Sequence, residues 1–290
     1  MQIEAKELSY VYSEKSKALA VHALKKVSLT VAEGEFLGII GQTGSGKSTF
    51  IQHLNGLIRV EKDKGSLLVG DFDLTDKKCN LKALRAKVGM VFQYPEYQLF
   101  AETVREDVAF ALKNFYPELK AEEVEERVRK AVETVGLDYE KIKDKSPFEL
   151  SGGQKRRVAI AGVIVARPEV LVLDEPVAGL DPKGKEEFID LLHRLHGSLV
   201  KTIIIVSHDM NTVAEHCSKV AVFSHGEIIK VGAPKEIFSD TERMLEEGLL
   251  LPATAQVTRA LKESGIDCPN DFTIDGFVNA VAEKFGGNGL

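Results

Sequence analysis

Three short segments of this chain carry residue types and spacings that could do chemistry. The first is Gly41-Gln42-Thr43-Gly44-Ser45-Gly46-Lys47-Ser48, followed by Thr49. It has the GxxxxGK[ST] spacing that lets backbone N–H groups encircle phosphate oxygens. Glycines at 41, 44 and 46 keep side chains out of the way, and the helix that starts here adds partial positive charge. Lys47 can reach the outer phosphates of a triphosphate, and the Ser48 hydroxyl can face Mg²⁺. The second segment is Val170-Leu171-Val172-Leu173-Asp174-Glu175, an apolar run that ends in two carboxylates. Asp174 suits the Mg²⁺ hydration shell, and Glu175 suits a general base that polarises an attacking water. The third is Leu150-Ser151-Gly152-Gly153-Gln154, which reads as a helix start capped by Ser151 and so as a second anion site. One phosphate loop already saturates one triphosphate, so this second site poses a question.

The elements that must position these groups are legible from periodicity. Phe36–Ile40 is a short continuous apolar run directly before the glycine loop, as expected for a strand buried on both faces. Helical spacing follows through Thr49–Leu54. Ile3–Tyr10 and Val27–Val31 alternate as strands, the latter leading into a Glu33-Gly34-Glu35 turn. Val88–Phe92, Val170–Leu173, Thr202–Val206 and Val220–Phe223 are again short and β-branched. Strands alternating with helices imply an α/β core with a mostly parallel sheet, which brings strand carboxyl ends to a common edge.

Residues 94–166 read as a helical subdomain inserted into that core. Val124, Val128, Ala131, Val132 and Val135 make one buried stripe, opposite a solvated face of Glu, Arg and Lys. Past residue 240 the punctuation changes, and residues 241–290 read as a small C-terminal helical domain. In its last helix, with Thr273 as N-cap, Ile274, Phe277, Val278, Val281, Ala282 and Phe285 form a stripe. That stripe suits either the domain's own core or a subunit interface. The first division of the chain is therefore 1–240.

Composition sets the outer limits. The 290 residues are 44% hydrophobic and 28% charged, enough apolar material for a sizeable core and ordinary for a globular protein. No apolar run approaches the ~18 residues a membrane helix needs. The net charge of −6 disfavours a broad nucleic-acid surface. Cys79, Cys217 and Cys268 are sparse and unpaired in spacing, which fits reduced thiols in a cytosolic setting. The start, MQIEAKELSYVY, carries acidic residues and no apolar signal region. The six histidines other than His208 match no motif and read as structural.

The order of the three segments resembles the ATP-binding-cassette (ABC) ATPase family. That resemblance answers the question of the second anion site. It implies two subunits packed head to tail, with each ATP held between one subunit's phosphate loop and the other's Ser151-Gly152-Gly153-Gln154 signature. It also implies roles for further residues. Gln93 matches the glutamine that contacts Mg²⁺ and the lytic water. His208, after Thr202–Val206 and Ser207, matches the histidine that contacts the γ-phosphate. Ala178-Gly179-Leu180-Asp181 matches the loop that reaches across the seam, though many members have Ser-Ala there. Tyr12 matches the aromatic that stacks on adenine, with Tyr10 as the rival. With Glu175 and His208 both present, hydrolysis of ATP is expected rather than binding alone.

A finer resemblance is to the ATPases of energy-coupling factor importers. Gln93-Tyr94-Pro95-Glu96-Tyr97-Gln98-Leu99-Phe100 is similar to the extended glutamine loop of that group. Gly152–Gly162 and the C-terminal domain are similar as well. Tyr94–Tyr97 and Leu173–Pro182 resemble the second of the two paralogous ATPases more than the first. The resemblance implies a second ABC ATPase subunit as partner, in a heterodimer or alternatively a homodimer. It implies a transmembrane coupling subunit seated near Gln93–Phe100, and a membrane protein that captures a vitamin or transition-metal ion. The chain would then sit peripherally on the cytoplasmic side of the cell membrane. The competing reading is an ABC ATPase without transport, such as one acting in cofactor assembly.

Overall fold

The computed structural model describes residues 1–12 and 20–285. Ten strands are present among them: β1 Ile3–Tyr12, β2 Val21–Val31, β3 Phe36–Gly41, β4 Ser66–Val69, β5 Phe72–Asp73, β6 Val88–Val91, β7 Val170–Asp174, β8 Thr202–Val206, β9 Lys219–Ser224 and β10 Glu227–Gly232. The helices are α1 Lys47–Leu54, α2 Leu81–Lys87, α3 Val104–Phe115, α4 Ala121–Thr134, α5 Tyr139–Ile142, α6 Gly152–Ile164, α7 Pro182–Leu195, α8 Met210–His216, α9 Pro234–Phe238, α10 Thr241–Glu246, α11 Ala253–Glu263 and α12 Ile274–Phe285. None of these helices is long and apolar enough to cross a membrane.

The strands form two sheets. The larger runs β10-β9-β3-β8-β7-β6, parallel throughout except where β10 meets β9. The smaller, β2-β1-β4-β5, is antiparallel. Sequence reasoning anticipated the parallel sheet but not a separate antiparallel one. β4, β5 and β10 are short or half-buried and give little apolar signal, and β2 begins six residues before the expected Val27.

Consecutive residues of the central strands point to opposite faces, and both faces are buried. Phe36 and Ile40 of β3, Leu171 and Leu173 of β7, and Ile203 and Ile205 of β8 pack with the helices into one cluster. Leu37 and Ile39, Val170 and Val172, and Ile204 and Val206 pack with α1 and the antiparallel sheet into a second. This explains why the central strands are apolar without alternation. It also fixes their register, because both sides of each strand are specified.

Between β6 and β7 the chain is helical, from a 3₁₀ turn at Pro95–Gln98 to α6. The α4 stripe is placed as its spacing requires, with Val128, Ala131 and Val132 buried and Val124 at the edge. Salt bridges Arg127–Glu123 and Lys130–Glu126 run along its solvated face. Past residue 240, Met244, Leu249, Leu251, Ala255 and Phe272 join the same cluster as the helices of the main body. The apolar stripe of α12 does not form a core: the helix buries none of its residues, and Ile274 and Val278 are about half exposed. Thr273 Oγ1 accepts the Gly276 N–H at 3.1 Å, as an N-cap does.

Gly46 shows how tightly the loop after β3 is built. Its φ is 106°, and a Cβ there would lie 2.4 Å from the Ala23 carbonyl oxygen. Gly46→Ala therefore faces both backbone strain and a clash with main chain that cannot swing away. The expected result is a loss of about 1–3 kcal/mol in folding free energy, read as a lower urea midpoint. A wild-type midpoint would show that the loop can relax around an added methyl.

Candidate active site

The parallel strands β3, β8, β7 and β6 end side by side, and the chemistry-bearing residues follow those ends. The phosphate loop leaves β3, His208 follows β8, Asp174 and Glu175 end β7, and Gln93 follows β6. A cavity of about 990 Å³ opens at this edge. Tyr12, Thr43, Gly44, Gly46, Lys47, Ser48, Thr49, Gln93, Asp174, Glu175 and His208 all line it. Segments separated by most of the chain's length thus meet around one space.

Lys47 is buried at the start of α1, and its Nζ donates to the carbonyl oxygens of Gly41 (2.7 Å) and Gln42 (2.8 Å). Burial pulls its pKa below the ordinary lysine value, and the carboxylates of Glu175 and Asp174 oppose that shift. Asp174 is pushed up by burial, with the Ser48 hydroxyl and Lys47 pulling it back.

Glu175 takes a left-handed backbone conformation, φ 49°, rare for a residue with a side chain. The strain is held by neighbours: its N–H donates to the Val206 carbonyl at 3.0 Å, and its Oε2 accepts the His208 N–H at 3.3 Å. Oε1 lies 3.2 Å from His208 Nε2, yet it has no aligned hydrogen bond among the described residues. Burial pushes the Glu175 carboxyl up to about 6, against the pull of the His208 N–H and Lys47. Burial and Lys47 pull His208 below its ordinary value, which favours the neutral imidazole. The arrangement is a carboxylate at the cavity wall with one buried oxygen, unpartnered among the described residues, beside an imidazole whose neutral form is favoured. It suits proton acceptance from water.

Tyr12 and Tyr10 are separated by the structure. Tyr12 is about half exposed at the cavity wall, its hydroxyl 3.4 Å from Thr49 Oγ1. Tyr10 is turned inward, edge-on to His53 with ring centroids 5.1 Å apart, and does not line the cavity. An aromatic face open to a ligand is found at Tyr12.

Other expected residues lie elsewhere. Gln42 and Ser45 line a smaller cleft behind the loop, with Glu246 and Glu247; Gly41 contributes its carbonyl to Lys47. Asp181 caps α7, accepting the Gly184 N–H at 2.7 Å. Ser151 and Gln154 form a reciprocal capping box at the start of α6. Ser151, Gly152 and Gly153 are exposed and stand apart from the cavity. Neither glycine has positive φ, and a Cβ on either would meet nothing within 4 Å.

Sequence reasoning missed one whole wall. Leu250, Leu251, Ala253 and Gln256 line the cavity, and the Ala253 N–H donates to Asn211 Oδ1 at 2.8 Å. No motif marks that contact, because it arises from how the C-terminal chain folds back over α8.

Comparison with known proteins agrees with this geometry. The model of the ABC transporter family matches residues 24–178. The energy-coupling factor transporter ATP-binding protein EcfA2 of Clostridium tetani is 47% identical over 276 residues, covering 95% of this chain and 94% of that one. The EcfA2 of Clostridioides difficile is 46% identical over the full length of both. Among solved structures, cbiO1 from Clostridium perfringens, part of the ABC transporter complex cbiONQ, superposes with TM-score 0.72 at 38% identity, covering 89% of this chain and 98% of that one. The dimeric post-hydrolysis ATP-binding cassette MJ0796, bound to ADP and phosphate, gives TM-score 0.71 at 30% identity, covering 80% and 98%. The chain therefore belongs to the ABC transporter ATPases, among the energy-coupling factor transporter ATP-binding proteins.

Proposed function

We propose that this chain is the ATP-hydrolysing motor subunit of an energy-coupling factor importer and that it works across a seam with a second ABC ATPase subunit. The observation that carries the reading is the placement of Ser151, Gly152 and Gly153. They sit exposed at a helix N-terminus, outside the chain's own cavity. Glycine loses more conformational freedom on folding than any other residue, so two in a row at a helix start carry an entropic cost. Nothing inside the chain requires them, since a Cβ at either would meet open space. Their lack of side chains serves an approach from outside, and a helix N-terminus is suited to phosphate.

In this reading ATP stacks on Tyr12 and lays its phosphates along residues 41–49. The oxygen donors Ser48, Asp174 and Gln93 line the same cavity. That donor set fits Mg²⁺, which takes few protein oxygens and keeps waters and phosphates as its other ligands. When bound, Mg²⁺ would neutralise phosphate charge and draw the carboxylates beside it toward the ionised form. Lys47 would leave the Gly41 and Gln42 carbonyls for the phosphates. Glu175 Oε1 would accept the proton of the attacking water, and His208 would face the transferred phosphoryl group. The partner's signature loop would complete the cradle, and Asp181 would lie along the seam.

The transport half of the reading is supported by an aromatic surface. Tyr97 is 84% exposed with the Tyr94 ring 6.1 Å away, and Phe100, 60% exposed, stands edge-on to Phe110. Such a patch suits the coupling segment of a transmembrane partner. That partner would work with a substrate-binding membrane protein for vitamins or transition-metal ions. The chain would be held at the cytoplasmic side of the membrane through these contacts. The exposed α12 stripe fits a contact that keeps two ATPase subunits together between cycles, either with a paralogue or with a second copy.

Glu175→Gln should reduce turnover by roughly 10²–10⁴-fold while ATP is still bound, and should accumulate a closed dimer on gel filtration with ATP. Unchanged turnover would remove Glu175 from the mechanism. Tyr97→Glu should abolish uptake in membranes carrying the whole transporter yet leave ATP binding intact; normal uptake would move the docking surface elsewhere. Val278→Asp on α12 should lower dimer mass at low concentration without ATP. It is preferable to deleting 241–290, which would strip Met244, Leu249 and Leu251 from the main core.

A further inference from the structure

Arg156 lies at the second turn of α6, two residues past the signature Gln154, and is only 6% exposed. Its guanidinium points at two loops at once. Nη2 donates to the Ala178 carbonyl at 3.1 Å. Nε faces Glu96 Oε2 at 3.5 Å, in the 3₁₀ turn that follows Gln93. The pair is under-satisfied: Arg156 Nη1 and Glu96 Oε2 are both buried without a hydrogen-bond partner among the described residues. A buried ion pair so loosely bonded contributes little to stability, because its desolvation cost offsets its attraction. Its contacts describe a different task. The Ala178 N–H donates to the Glu175 carbonyl at 3.2 Å, closing the four-residue turn that leaves β7. Arg156 grips the far end of that turn, and Glu175, in its strained left-handed conformation, is the near end.

We propose that Arg156 is a positioning residue for hydrolysis, one rigid guanidinium tying the Pro95–Gln98 turn to the Ala178 end of the turn that aims Glu175. Arg156 does not itself line the cavity; it holds Ala178, which does, so its route to the chemistry runs through the turn that carries Glu175. The planar fork matters, since its donors sit at separate fixed points, whereas a lysine ammonium is a single point on a flexible stem and does not hold the carboxylate and the carbonyl in that fixed geometry. A displacement of the Pro95–Gln98 turn then shifts the general base without passing through the sheet. This inference rests on the assignment of Glu175 as the base.

The test uses the purified full-length chain and reads ATP turnover, ATP KM and thermal melting together. Arg156→Lys should lower kcat roughly tenfold with KM unchanged within about twofold. The double variant Glu96→Gln/Arg156→Met removes both buried charges and leaves neither orphaned. It should melt at or above the wild-type temperature, as expected for an ion pair replaced by neutral groups, yet show the same fall in kcat. Adding Glu96→Gln to Arg156→Lys should deepen the loss by less than the product of the two single effects, because the two act through one link. Wild-type kcat in either the lysine or the double variant would overturn the proposal. So would a rise in KM equal to the fall in kcat, or a loss of activity matched by a loss of folded protein. Glu175→Gln assayed in parallel separates the two readings: if it turns over normally, the base assignment fails whatever Arg156 does.

Discussion

The site depends on holding an ammonium and two carboxylates together where water is largely excluded. Lys47 is buried, Asp174 and Glu175 are mostly so, and each resists its charged form for that reason. The three are tolerable in one place because they offset one another and because main-chain groups take up the remainder. The Gly41 and Gln42 carbonyls hold the ammonium, and the His208 N–H holds one Glu175 oxygen. Partial desolvation strengthens every interaction a triphosphate could make there. The same desolvation leaves Glu175 readier to take a proton than an exposed glutamate would be.

Such a cluster needs a scaffold that cannot drift. The central strands supply it by being buried on both faces, so that no strand can slip by a residue without turning a whole apolar set the wrong way. The consequence is visible at the edge: β8, β7 and β6 stop within two residues of His208, Glu175 and Gln93, and the glycine loop begins at the end of β3. The helical segment between β6 and β7 adds a second set of positions, and it is tied back to the edge by α6.

Much of this was legible in the residues themselves. The phosphate loop was readable because only glycine tolerates the conformation and the crowding at Gly46. The apolar runs at Phe36–Ile40 and Thr202–Val206 were readable because two-sided burial leaves no alternation to confuse. Ser151 declared itself as a cap because a serine and two glycines precede the helical run Lys155–Ala161. What stayed hidden was relational. The antiparallel sheet was missed because β4 and β5 are too short to show a period. The outcome for α12 could not be read because an apolar stripe looks alike whether it meets its own domain or another subunit. The choice between Tyr10 and Tyr12 turned on which ring faces out, and a bulge-ridden strand pairing decides that.

The wall built by Leu250, Leu251, Ala253 and Gln256 has a practical consequence. The cavity at the strand ends is lined by residues far apart in the chain, from Tyr12 to Gln256. A ligand shaped to the whole cleft would therefore press on Leu250, Leu251, Ala253 and Gln256 as well as on the glycine loop. Selectivity among related ATPases could be sought at that C-terminal wall, away from the glycine loop they share.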